Sequence, residues 1–125
     1  MFKAAVVDPD PGSLQATAGL LANNGHIASV ACFSGYDGFM SELRKGGVHI
    51  AFIRVGVPGL PGLSVARETL AVSPATMVVF MSDTESYAVT AFEEGASGYL
   101  LLPAEQKDFD GVVENIRKRG NRKFV

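Results

Sequence analysis

Residues 49–63 read HIAFIRVGVPGLPGL, and their order of residue types sets the rest of the chain in place. Four of the first five residues are apolar, which suits a buried strand. The run then stops at Arg54 and enters a loop rich in glycine and proline. A strand that is apolar along its length and polar only at its carboxyl end fits a parallel sheet, where both faces are covered and the strand tips carry the chemistry.

The same kind of run recurs at regular spacing: KAAVV (3–7), HIASVAC (26–32), VHIAFI (48–53), TMVVFM (76–81) and SGYLLL (97–102). Each is continuous rather than alternating, which predicts strands buried on both faces and makes Cys32 a buried strand residue. Helix-length segments with an apolar stripe lie between them. The stripes are Leu14, Ala18 and Leu21; Phe39, Met40 and Leu43; Val65, Ala66 and Leu70; Ala88, Phe92 and Ala96; and Phe109, Val112, Val113 and Ile116. Ser82-Asp83-Thr84 offers a helix N-cap with Glu85 in the first turn. Gly25, Gly46 and Gly95 stand where helices should stop. Strands alternating with helices predict an α/β fold, a doubly wound five-stranded parallel sheet with right-handed crossovers. One domain is expected over residues 1–119, with 120–125 a basic tail that begins a linker.

Composition narrows the function. The chain has 125 residues, 47% hydrophobic and 19% charged, with one cysteine and hence no internal disulfide. No apolar run is long enough for a membrane helix, and the apolar start is too short for a signal peptide. A cytoplasmic location is therefore expected. Five of the 11 basic residues lie in the last nine, RKRGNRKFV; the other 116 residues hold six basic and 13 acidic side chains. So acidic a body should not attract nucleic acid, and the basic tail suits a solvated helix end. The glycine-rich loop lacks the lysine and spacing of a phosphate-binding loop. His26 and His49 open different strands with no ligand cluster beside them, so no metal site is expected there.

Reading the strand tips in turn yields Asp8-Pro9-Asp10, Arg54, Ser82-Asp83 and Leu102-Pro103. With VVDPDP, VPGLPGL, VVFMS and GASGYLLLP in this order, the chain resembles the receiver domain of bacterial response regulators over about residues 3–119. The segment LSVARETLAVSPATMVVFMSDTESYAVTAFEEGASGYLLLP is most similar to the LytR/AlgR type, in which a LytTR DNA-binding domain usually follows. The resemblance implies the (βα)5 flavodoxin-like fold. In an intact receiver two adjacent acids hold Mg²⁺, an Asp ending strand three accepts a phosphoryl group, and a Ser or Thr and a Lys bind its oxygens. Here Asp8 matches the first acid and Ser82 the hydroxyl. Pro9 replaces the second acid, Arg54 the phosphoacceptor and Leu102 the lysine; Pro58-Gly59 matches the family turn, and Pro61 stands where an Asp is common.

Those replacements remove the chemistry. A guanidinium has five donors and no acceptor and stays protonated in proteins, so Arg54 is no nucleophile. Mg²⁺ needs oxygen ligands, of which only Asp8 and Asp10 remain, so weak or absent Mg²⁺ binding and no other cofactor are expected. Arg54 should instead pair with Asp8, with Asp10 a second candidate partner. The resulting expectation is a phosphorylation-independent receiver, not an enzyme. It would act as an interaction module, homodimerising through the face of helix four, strand five and helix five, where Tyr87, Val89, Phe92 and Tyr99 lie. Tyr99 matches the switch position; for Phe92 the plain alternative is a core position. An output domain beyond residue 125 would bind DNA. Two other readings stand beside it: a sensor of an anionic small ligand in the pocket around Arg54, and a residual phosphoacceptor using Asp8, Asp10 or Asp83.

Overall fold

A computed structural model describes residues 1–56 and 62–122. The order of elements is β1 (Phe2–Val7), α1 (Pro11–Ala22), β2 (Ile27–Phe33), α2 (Tyr36–Lys45), β3 (Ile50–Arg54), α3 (Val65–Val72), β4 (Met77–Ser82), α4 (Ala88–Glu93), β5 (Gly98–Leu101) and α5 (Gln106–Arg122). All strand pairs are parallel, in the order β2-β1-β3-β4-β5. The chain leaves β1 toward one edge and returns to its other side for β3. This reversal opens a crevice between the tips of β1 and β3, the place where open α/β sheets put their sites.

Side chains alternate across the sheet, so each inner strand feeds two cores. Ala5, Val7, Ala51, Ile53, Val78 and Phe80 pack under α2, α3 and α4. Ala4, Val6, Ile50, Phe52, Val79 and Met81 pack with Leu21 of α1 and with Phe109, Val113 and Ile116 of α5. Burial on both faces is why β1, β3 and β4 read as unbroken apolar runs. β2 departs from that expectation. It is an edge strand, most of its residues are exposed or half-buried, and Cys32 is exposed rather than buried. An edge strand needs only one covered face, so its apolar composition overstates its burial.

Local signals set the helix ends. Asp10 caps α1, its Oδ1 accepting the Gly12 N–H at 3.1 Å, with Pro11 at the first helical position. Gly46 ends α2 at φ +83°, a conformation that favours glycine. Asp108 reaches back to the Glu105 N–H at 2.8 Å to open α5. Gly95 directly follows the C-cap of α4, as expected, whereas Gly25 lies two residues beyond the C-cap of α1. The boundary expected at residue 119 falls inside α5, which runs on to Arg122.

Asp110 fastens α5 to the turn between α1 and β2. Its Oδ1 accepts from Asn24 Nδ2 at 2.7 Å and from Gln106 Nε2 at 3.0 Å, while Gln106 also donates to the Leu20 carbonyl. The hydrogen bond from Asn24, then that from Gln106, holds the Asp110 carboxyl below the usual carboxylate range. A group depressed in the folded state adds stability above its unfolded pKa and loses it as pH falls through the folded value. Asp110→Ala should therefore lower the urea midpoint at neutral pH. The gap from the unsubstituted chain should close in acid, below the ordinary carboxylate range; a gap independent of pH would assign the effect to packing.

Candidate functional site

Asp8 leaves β1 fully buried, its own N–H bonded to the Phe33 carbonyl at 3.0 Å. A buried carboxylate must be served by donors. Its Oδ1 accepts the Asp10 N–H at 2.9 Å, a tight turn across Pro9, and its Oδ2 lies 3.3 Å from Arg54 Nη1. Arg54 Nη1 also reaches Ser13 Oγ at 3.2 Å, and the arginine side chain is 14% exposed. Strand register explains the meeting: Val7 pairs with Ile53, so the next residues stand side by side beneath α1.

The contact with Asp10 does not form. Asp10 is committed to its helix cap, and Ser13 takes the second contact with Arg54 instead. Ser13 escaped the sequence reading; the signal available was its position one turn into α1, beside the strand tips. Pro9 is exposed and supplies neither a carboxylate nor an N–H. Leu102 is half-buried and joins Leu20 and Phe109 in the wall of a cavity of about 480 Å³, with Arg54 in the same wall.

Ser82 and Tyr99 belong to the opposite side of the sheet. Ser82 is fully buried, and its Oγ accepts the Thr84 N–H at 3.3 Å. The Tyr99 hydroxyl donates to the Thr84 carbonyl, which holds the ring inward against the core under α2–α4. Thr84 Oγ1 accepts the Ser86 N–H at 3.2 Å. These bonds correct the expected cap at 82–84: the hydroxyls close the loop upon itself, and α4 starts later, after Tyr87, with no side-chain cap. The helix is short and buries Ala91, not Phe92. Phe92 is 52% exposed, so it is not a core residue; Val89, Tyr87 and Leu101 are exposed near it. Leu101 stands inside an apolar run, which marks it as strand and carries no signal of its exposure.

Tyr87 also packs on the backbone after β3. A Cβ built on Gly56, whose φ is +81°, would lie 2.9 Å from Tyr87 Cε2 and 3.5 Å from Ser82 Oγ. Gly56→Ala should cost about 1–2 kcal/mol from backbone strain, with the ring displaced. Equilibrium urea unfolding, with Tyr87 ring shifts, would check this; unchanged values would remove the contact. Pro58-Gly59, matched to the family turn, and Pro61, standing where an Asp is common, lie outside the described residues.

Among the described residues no group of three His, Cys, Asp or Glu side chains could hold a metal ion. His49 Nδ1 accepts the Lys3 N–H at 2.8 Å, and His26 Nε2 lies 3.8 Å from Glu114. No helix is long and apolar enough to cross a membrane among the described residues.

The family model described as "Response regulator receiver domain" matches residues 4–114. The chain is 27% identical to the transcriptional regulatory protein BtsR of Salmonella typhi over 128 residues, covering 100% of this chain and 52% of BtsR. It is 32% identical over 91 residues to the sensory transduction protein LytT of Oceanobacillus iheyensis, covering 71% of this chain and 37% of LytT. It thus spans about half or less of the length of these relatives. A response regulator receiver domain protein from Clostridium thermocellum superposes with a TM-score of 0.84 at 23% identity, covering 97% of this chain and 98% of that one.

Proposed function

The chain belongs to the response regulator receiver domain family, and from that premise we propose that it is a receiver of two-component signalling that works without aspartyl phosphorylation. The observation that carries the reading is Arg54 Nη1 standing 3.3 Å from buried Asp8, Arg54 being the residue that the sequence resemblance matches to the family's phosphoacceptor. A guanidinium there offers no nucleophile and repels the divalent cation that would offset the transferring charge. Pro9 withholds a second carboxylate, and Leu102 withholds the phosphoryl-binding cation.

The module acts by contact and is not an enzyme. Tyr87, Val89, Phe92 and Leu101 expose apolar surface around α4 and β5, and this face is the proposed homodimer surface. It controls an output domain following the chain, DNA-binding as in LytTR-type regulators, and it operates in the cytoplasm. The receiver itself contacts neither nucleic acid nor membrane.

An amide NMR titration with Mg²⁺ followed by beryllofluoride, a phosphoryl mimic, tests the reading. The resonances of Asp8, Arg54, Ser82 and Tyr99 should stay in place and the sedimentation coefficient should not change, while Phe92→Glu should lower that coefficient. Saturable movement of those resonances would show that the site still takes a phosphoryl group.

A further inference from the structure

The cavity beneath Arg54 lies between α1, the tip of β4 and the start of α5, and its about 480 Å³ is within the range of small-molecule pockets. Its inner wall is apolar, built by Leu20, Leu102 and Phe109. Phe109 is fixed by its ring contact with Phe52, at a centroid distance of 5.9 Å. The polar side chains of the lining are the hydroxyls of Ser13 and Thr17, the guanidinium of Arg54 and two carboxylates. Arg54 spends Nη1 on Asp8 and Ser13 and buries Nε without a partner; Nη2 has no hydrogen-bond partner among the described residues. At the rim stand two exposed carboxylates, Asp10 and Asp83. Neither forms a salt bridge among the described residues, and Asp10 uses Oδ1 on its cap.

This inventory selects the ligand. Asp8 already balances the charge of Arg54, so a simple anion entering the cavity would meet two further carboxylates at the rim. A simple cation would satisfy the rim and leave the spare donors of the guanidinium unused. An apolar molecule would leave both unserved. We infer that the cavity is a binding site for a free α-amino acid with an apolar side chain. Its carboxylate is held by Arg54 Nη2, its ammonium by Asp10 and Asp83, and its side chain by Leu20, Leu102 and Phe109. Charge-assisted bonds to a guanidinium fork favour a carboxylate at that end. The arrangement refines the expectation of an anionic small ligand, because the exposed rim acids favour a positive group as well. The site is independent of the dimer face: loss of dimerisation would overturn the contact reading and leave this one standing.

The probes are L-leucine and L-phenylalanine, with 4-methylpentanoate, which lacks the ammonium, and leucinamide, which lacks the carboxylate. Each is titrated into the whole chain and followed by amide NMR. One or both amino acids should shift Ser13, Ala16, Leu20, Leu102 and Phe109 in a saturable way. Each analogue should bind at least about tenfold more weakly than leucine, the effect of losing one charge-assisted contact. Asp83→Asn, at an exposed position that leaves the fold intact, should weaken leucine by a similar factor, and Ala16→Phe should abolish binding by filling the space. No saturable shift with either amino acid overturns the site. Equal binding of leucinamide removes Arg54 from it, and equal binding of 4-methylpentanoate removes the rim acids; either result overturns the amino-acid assignment.

Discussion

Arg54→Ala is expected to lower the unfolding free energy by about 3–5 kcal/mol, the range for removing one partner of a buried ion pair. For a domain of this size that is a fall in Tm of roughly 10 °C or more. The reason lies with the partner left behind. Asp8 is 0% exposed, and without Arg54 it would keep the Asp10 N–H as its one hydrogen bond among the described residues. Urea unfolding measures the loss, with the m-value unchanged if only stability is affected. Adding Asp8→Asn to Arg54→Ala should recover part of it, because a neutral amide is less costly to bury than a carboxylate. An unchanged midpoint for Arg54→Ala would mean that the pair carries no structural weight.

On the proposed reading, phosphoryl transfer to the Arg54 position should require three substitutions together. Arg54→Asp alone supplies a nucleophile, yet it places two carboxylates side by side with no second metal ligand and no cation. Pro9→Asp adds the ligand that Mg²⁺ needs, and Leu102→Lys adds the charge that answers the phosphoryl oxygens. After a small-molecule phosphodonor and Mg²⁺, intact mass should show an adduct of about 80 Da on the triple variant and none on the parent or on Arg54→Asp. An adduct on Arg54→Asp alone would show that the other two positions are not limiting. An adduct on the parent would place the acceptor at Asp8, Asp10 or Asp83.

Much of this was legible in the sequence, and each exception has its own physical cause. The inner strands were legible because burial on both faces demands continuous apolar runs, and their observed ends lie within two residues of those expected. The Asp8–Arg54 contact was legible because opposite charges stood at the tips of adjacent strands. β2 and Cys32 were misjudged because composition does not distinguish an edge strand from an inner one. Asp10, Ser82 and Thr84 were misassigned because short polar side chains have competing local uses, and here helix capping and loop closure took them. Phe92 followed the helical period, but α4 has only six residues. So short a helix presents one narrow buried face, and Ala91 fills it.

The alternation of side chains along β1, β3 and β4 has a consequence for how the domain can drift. Asp8 and Arg54 lie under the α1 and α5 layer, while Ser82 and Tyr99 lie under the layer of α2, α3 and α4, with no hydrogen bond joining the two sets among the described residues. Effects of substitutions on separate sides should add rather than compound. The two sides of the strand tips are thus separable characters: the charged pair can change while the hydroxyl set keeps its geometry, neither constraining the other.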